Sequence, residues 1–352
     1  MQKGLQHTLF TIVLSCLALL AQAQEPAAEE APKGPWETGA GFGLDFSQLF
    51  QLNPRQGAGQ NRLGLGGAVN IFAKYSQGRV AWDNLGGLQF GIQRLGSGVV
   101  AQGSTEKIPF QKAIDELRLN SKFGYKVAEN SKFFYAADFS LLSQLTPTYK
   151  GTDTYPGFFL TDISGEAQDP LSKLFSPATM TFSLGIDYKP NDKFSFFYSP
   201  IGSKFIMVLN DLIARQGVHG NPVEGDKGPD GLYLPENTDN VDSQLGSLLR
   251  ANFASKFLQD RMAYTSALTL YSNYLNNPQN IDVDWTNELA LQIVKGLQLS
   301  LTANIFYDDD MRMLVTDKNA PNGVKVDANG DPVTARRVSL TQQLLLKYNV
   351  VF

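Results

Sequence analysis

The stretch Ala178-Thr179-Met180-Thr181-Phe182-Ser183-Leu184-Gly185-Ile186-Asp187-Tyr188-Lys189 alternates without a fault. Ala178, Met180, Phe182, Leu184, Ile186 and Tyr188 fall on one face, and Thr179, Thr181, Ser183, Gly185, Asp187 and Lys189 on the other. Period two is the signature of a strand with one apolar and one polar side. The run is twice the usual length of about 5 to 6 residues for a strand in a soluble protein. Leu117, Leu119, Phe123, Tyr125 and Val127 alternate in the same way with Glu116, Arg118, Asn120, Lys122 and Lys126.

Working outward from this stretch, about twelve such segments emerge: 37–46, 62–75, 80–93, 115–127, 132–145, 178–189, 193–207, 245–258, 261–274, 281–294, 297–308 and 337–352. Tight connections at Ser76–Arg79, Ala128–Lys132, Lys189–Lys193, Leu258–Arg261 and Val294–Gly296 alternate with long ones near 94–114, 146–177, 208–244 and 309–336. Only the link from Tyr274 to Asn280 is short where a long one is due. An even number of long strands, with short turns at one end and long loops at the other, predicts an all-β fold: a transmembrane, antiparallel, up-and-down barrel with both termini on the periplasmic side. Tyr75, Trp82, Tyr188, Tyr264, Tyr274, Trp285 and Tyr307 lie near strand ends, as interfacial aromatic girdles require. The last strand puts Val338, Leu340, Leu344, Leu346, Tyr348, Val350 and Phe352 on one face, and its Tyr348, Val350 and Phe352 end resembles the assembly signal of Gram-negative outer-membrane barrels. Outer-membrane lipids and the barrel-assembly machinery are the partners this predicts.

Composition agrees. The 352 residues carry 30 Lys and Arg against 34 Asp and Glu, which leaves no basic surplus for nucleic acid. One apolar run approaches helical spanning length, and it is N-terminal: Lys3, an apolar Thr8–Leu20 and Ala21-Gln22-Ala23 read as a signal peptide over 1–23. An acidic, Pro-rich tail over 24–36 is expected to be disordered, and the barrel to fill 37–352. The lone Cys16 lies inside the signal, so the exported chain has no thiol for disulfides, metals or nucleophilic chemistry.

If the apolar faces meet lipid, Glu116, Arg118, Lys122, Asp138, Asp187, Arg250, Lys256, Glu288, Gln292, Asn304 and Lys347 line the lumen. A twelve-stranded lumen lies between the filled eight-stranded and the water-filled porin cases. A narrow polar pore and a lumen closed by pairing charges both fit. Phe134, Phe197, Tyr271 and Phe306 would narrow it, whereas inward Gly39, Gly41, Gly43, Gly64 and Gly66 would leave space near the seam with the last strand.

At the rim, the turn Val294-Lys295-Gly296 sets Ile293 against Leu297 and hence Asp282 against Asp308 and Asn280 against Asp310. Opposed like charges destabilise a strand pair unless a divalent cation, a lumen Lys or Arg, or a raised carboxyl pKa compensates. Calcium suits Asp282, Asp284, Asp308 and Asp310, and no other cofactor is expected. Asp327-Ala328-Asn329-Gly330-Asp331 begins like a calcium loop but has Pro332 and Val338 where that loop needs Gly and Glu. The region 208–244 holds seven acidic residues against Arg215 and Lys227. A barrel hydrolase would need a serine–histidine pair. The one histidine of the exported chain, His219, reads as a solvated loop residue, so no enzyme is expected.

Asn70-Ile-Phe-Ala-Lys-Tyr, Trp82-Asp-Asn, Phe175-Ser-Pro-Ala, Gly185-Ile-Asp-Tyr-Lys-Pro-Asn-Asp, Tyr271-Ser-Asn-Tyr-Leu-Asn-Asn-Pro-Gln-Asn-Ile-Asp-Val-Asp-Trp and Tyr307-Asp-Asp-Asp together resemble an uncharacterised barrel family of Bacteroidota, a domain of unknown function. The resemblance spans about Trp36 to Phe352 and implies an outer-membrane address, with no catalytic residues to carry over. The expected function is a passive channel for small polar solutes, ahead of a closed-lumen structural or surface-binding barrel and of a hydrolase.

Overall fold

A computed structural model describes residues 34–52, 62–93, 109–155, 157–309, 313–317, 325–328 and 333–351. The signal peptide and nearly all of the tail expected over 1–36 lie outside them. Twelve long strands form the wall: β1 (Trp36–Leu52), β2 (Arg62–Gln77), β3 (Val80–Gln93), β4 (Gln111–Lys126), β5 (Phe133–Ser143), β6 (Ala178–Asn191), β7 (Phe194–Met207), β8 (Val241–Phe257), β9 (Met262–Asn273), β10 (Asp282–Val294), β11 (Leu297–Tyr307) and β12 (Ser339–Val351). Every neighbour pairs antiparallel, and β1 pairs with both β2 and β12, so the sheet closes with no free edge. Closure satisfies every ladder group internally, which is the condition for a sheet to cross lipid.

The expected segments all become strands, and three run further by four residues or more. β1 reaches Leu52, β4 begins at Gln111 and β8 at Val241, all at the end carrying the long loops. The turn after β10 also differs. Val294, not Ile293, pairs with Leu297, and Ile293 is the extra residue of a bulge; Gly296 takes the positive φ of 82° that the two-residue turn demands. Beyond the bulge the anticipated register holds, with Gln292 opposite Gln298 and Val283 opposite Tyr307.

The outer face is apolar and exposed. Leu65 and Ile71 on β2, Leu184 on β6 and Ile201 on β7 are each at least half exposed, and Phe123, Leu289, Leu344 and Leu346 continue the band around the wall. A protein surrounded by water does not present so wide an apolar surface. At the turn end the band meets a girdle in which Trp36 packs edge-on to Tyr75 at 5.1 Å and Phe133 stacks on Tyr188 at 4.6 Å. Trp285 and Tyr274 mark the loop end, the indole donating to Ser266 Oγ at 3.0 Å and the phenol to the Pro200 carbonyl at 3.0 Å. Apolar band, two girdles and closure make this an outer-membrane β-barrel.

Two of the long loops are folded against each other. After β7, Asn210 caps a four-residue helix, α1 (Asp211–Ala214), accepting from Ile213 N at 3.1 Å, and Val208, Ile213 and Ala214 form a buried cluster. The backbone N–H of Leu209 donates to the Phe175 carbonyl at 3.0 Å, and that of Asn210 to Ser176 Oγ at 3.0 Å. His219 is therefore not the solvated residue expected: it is half-buried, with Nε2 2.8 Å from the Leu171 carbonyl of the preceding long loop. Burial holds its pKa below the ordinary value, the bond to Leu171 opposing in part. A depressed imidazole pKa means the fold prefers the neutral form, so its stabilisation is complete above the unfolded value of about 6.5 and is lost as pH falls through and below it. Proteolysis within 208–240 of the refolded barrel should accelerate on going from pH 7.5 to 5, and His219→Gln should flatten that dependence. An unchanged dependence would place the sensitivity elsewhere.

Candidate functional site in the barrel lumen

Side chains on strands that are not neighbours in the sheet can meet only across the lumen, and this separates the inward residues. Asp138 on β5 is ion-paired with Arg250 on β8. Lys122 on β4 lies 3.0 Å from Asp187 on β6, and Lys189 lies 3.5 Å from Asp187 and 3.3 Å from Asp83 on β3. Lys347 on β12 reaches Glu288 on β10 at 2.6 Å. Lys256 shares the inward register of Arg250 and is exposed at the turn end. Lys256 aside, the charged residues that the sequence places in the lumen fall into two groups.

The first group fills one half. Ala136, Phe197, Leu248 and Tyr271 form a buried cluster spanning β5, β7, β8 and β9, beside the buried Phe134. The Lys122 ammonium sits over the Phe197 ring at 4.6 Å and that of Lys189 over Phe134 at 5.6 Å. Low dielectric strengthens these ion pairs, and each charge depends on its partner.

The second group lines a void. Gly41 and Gly43 of β1, Ala68 of β2 and Gly87 of β3 withhold side chains where β5, β7 and β9 place large ones. A cavity of about 490 Å³ remains between β1–β4 and β10–β12. Glu116, Arg118, Glu288 and Lys347 line it, with the amides of Asn70, Gln89 and Gln298. Arg118 and Glu116 stay 51% and 39% exposed although they point inward.

The rim acids come together as the register requires, with Asp282 and Asp308 flanking the extended pairing of β10 and β11. Lys204 of β7 stands between them, its Nζ 3.8 Å from Asp282 Oδ2 and 3.9 Å from Asp308 Oδ2. Asp284 points the same way and accepts from Asn304 Nδ2 at 2.6 Å. Asp309 accepts from Asn280 Nδ2 at 2.7 Å, with Arg336 Nη1 at 3.7 Å. Among the described residues no three His, Cys, Asp or Glu are grouped to hold a metal ion, and Asp310 lies outside the described residues, as do Asn329 to Pro332 of the second acidic motif. Of the assembly segment, Tyr348 faces outward and Val350 pairs in backbone register with Phe42; Phe352 lies outside the described residues.

Sequence reasoning missed Asp83 and Lys204. Asp83 sits in the inward register of β3, opposite Lys74 and Lys122, where the alternation of Val80–Gln93 could have found it. Lys204 lies beyond a break in the alternation of β7.

No curated protein matches the chain by sequence. Among solved structures, the chain is similar to the translocator domain of the autotransporter NalP from Neisseria meningitidis, at a TM-score of 0.36 and 6% identity over 99% of this chain and 97% of that one. It is similar to an outer membrane channel from Pseudomonas putida F1 at 0.35 and 13%, over 92% and 99% of the two chains. It is similar also to the outer membrane channel DcaP of Acinetobacter baumannii at 0.33 and 8%, over 90% and 97%. Over residues 47–149, from within β1 to just past β5, the chain matches the family described as "Protein of unknown function (DUF3078)".

Proposed function

We propose that this barrel is a passive channel for small polar solutes, with its turn end toward the periplasm and its loops outside. One observation carries the reading: into a lumen cavity of about 490 Å³, otherwise lined by glycines and apolar residues, four charged and three amide side chains converge, and Arg118 and Glu116 among them remain 51% and 39% exposed. An inward wall that served only to close the barrel would bury such groups against one another. The filled half restricts the route, which suits small solutes. A closed-lumen structural barrel is the second reading, and the buried Phe134, Phe197, Leu248 and Tyr271 favour it. Hydrolysis has less support, because His219 is engaged with the Leu171 carbonyl in the folded loops, away from the strands.

Refolded full-length protein in a planar bilayer should give steady, discrete conductance steps. Phe197→Ala should enlarge them, since the ring belongs to the filled half. A silent bilayer from protein that migrates as a folded, heat-modifiable barrel would overturn the channel reading in favour of the closed lumen.

A further inference from the structure

Resting on that reading of the lumen, we propose that the cavity is a binding site for a small zwitterionic solute, one carrying an ammonium and a carboxylate as a free amino acid does. The lining presents two anions and two cations in two pairs, Glu116 with Arg118 on β4 and Glu288 with Lys347 on β10 and β12. Each pair is built the same way. Arg118 Nε and Nη2 both donate to Glu116 Oε1, at 3.0 and 2.9 Å, and Lys347 Nζ and Ser300 Oγ both donate to Glu288 Oε1, at 2.6 and 2.5 Å. A single carboxylate oxygen takes both donors in each case, so the second oxygen, and Nη1 of the guanidinium, stand outside the pair.

Coulomb's law then ranks the ligands. A lone anion attracted by Arg118 and Lys347 meets Glu116 and Glu288, and a lone cation meets the reverse; a zwitterion matches both signs and brings no net charge into the barrel. A sugar would want an open aromatic face. Phe72 is the inward aromatic of the lining, and its ring already carries the Lys74 ammonium at 5.3 Å; Phe42 belongs by register to the lipid face. The volume falls within the range of about 300 to 1,000 Å³ usual for small-molecule sites.

The test is a titration of refolded full-length barrel in detergent micelles, followed by saturation-transfer NMR, with alanine as the probe and propionate, ethylamine and glucose as comparisons. Alanine is expected to give a saturable signal and the three others none in the same range. The paired variant Glu116→Gln/Arg118→Gln, which keeps the net charge, should weaken alanine binding by about tenfold or more, the cost of losing charge-assisted hydrogen bonds. Glu288→Gln/Lys347→Gln should do the same. Glu116→Asp/Arg118→Lys, which keeps both charges, should retain most of the binding and guards against misfolding as the cause. Absent saturation, equal binding of propionate or ethylamine, or wild-type binding in both neutralised pairs would overturn the proposal. Micelle binding needs no transport. A silent bilayer with intact binding therefore overturns only the channel, and a conducting barrel that does not bind alanine overturns only the zwitterion site.

Discussion

Replacing Asp187 by alanine should lower the unfolding free energy of the barrel by about 3 to 5 kcal/mol, the cost of removing one partner from a buried ion pair. The Asp187 side chain is 3% exposed and serves two ammonium groups, Lys122 at 3.0 Å and Lys189 at 3.5 Å. Lys189 keeps Asp83 at 3.3 Å after the substitution. Lys122 does not fare as well, because the neighbouring Asp138 is already ion-paired with Arg250. The loss therefore falls mainly on Lys122, left in a lumen packed with Phe197 and Phe134. Lys122→Met/Asp187→Leu removes both charges and fills their space, and should recover most of the stability. Urea unfolding in lipid vesicles, read by heat-modifiable migration, measures both variants. A loss below about 1 kcal/mol for Asp187→Ala would mean that this half of the lumen is wet enough to solvate an unpaired ammonium.

The barrel itself was legible because lipid and lumen impose opposite demands on successive residues. Ala178 to Lys189 satisfies them at every position, and it forms β6. Strand ends were less legible where the wall rises beyond the apolar band. Gln111 to Asp115 in β4 and Val241 to Gln244 in β8 still pair with their neighbours, but no lipid enforces an apolar face there. The glycines of β1 correctly pointed to space near the seam with β12. Which inward charges meet was not legible, since contacts such as Arg250 with Asp138 depend on the stagger with which the sheet closes. Lys204 shows a second limit. Odd residues of β7 face inward up to Ser199, and even ones from Gly202 onward, because Ser199-Pro200-Ile201 forms a bulge against both β6 and β8. Alternation carried through Pro200 puts Lys204 on the lipid side and hides the cation that stands between Asp282 and Asp308.

A glycine beside the same bulge gives the second large effect: Gly246→Val should abolish folding of the barrel in vesicles. Pro200 has no N–H for the ladder and is tolerated because the bulge leaves it unpaired on both sides, with Ser199 Oγ bonding the Leu184 and Ile201 carbonyls at 2.8 and 2.7 Å. Gly185 and Gly246 flank it on β6 and β8. A Cβ on Gly246 would press into the Ser272 carbonyl and come within 2.8 Å of Tyr271 Cζ. A side chain can rotate away, but Ser272 is paired to Ser247 in the β8–β9 ladder, and moving it opens the wall. Overpacking against side chains costs about 1 to 3 kcal/mol; against a ladder carbonyl the cost lies at or above the top of that range. Gly67→Ala is the control, because its Cβ meets only ordinary contacts, Gly43 O at 3.6 Å and Leu44 Cδ2 at 3.7 Å. Adding Tyr271→Ala to Gly246→Val decides between the two obstacles. If the backbone carbonyl is limiting, the double variant stays unfolded; if its heat-modifiable band returns, the ring set the limit, and the ladder at Ser272 is more yielding than its hydrogen bonds suggest.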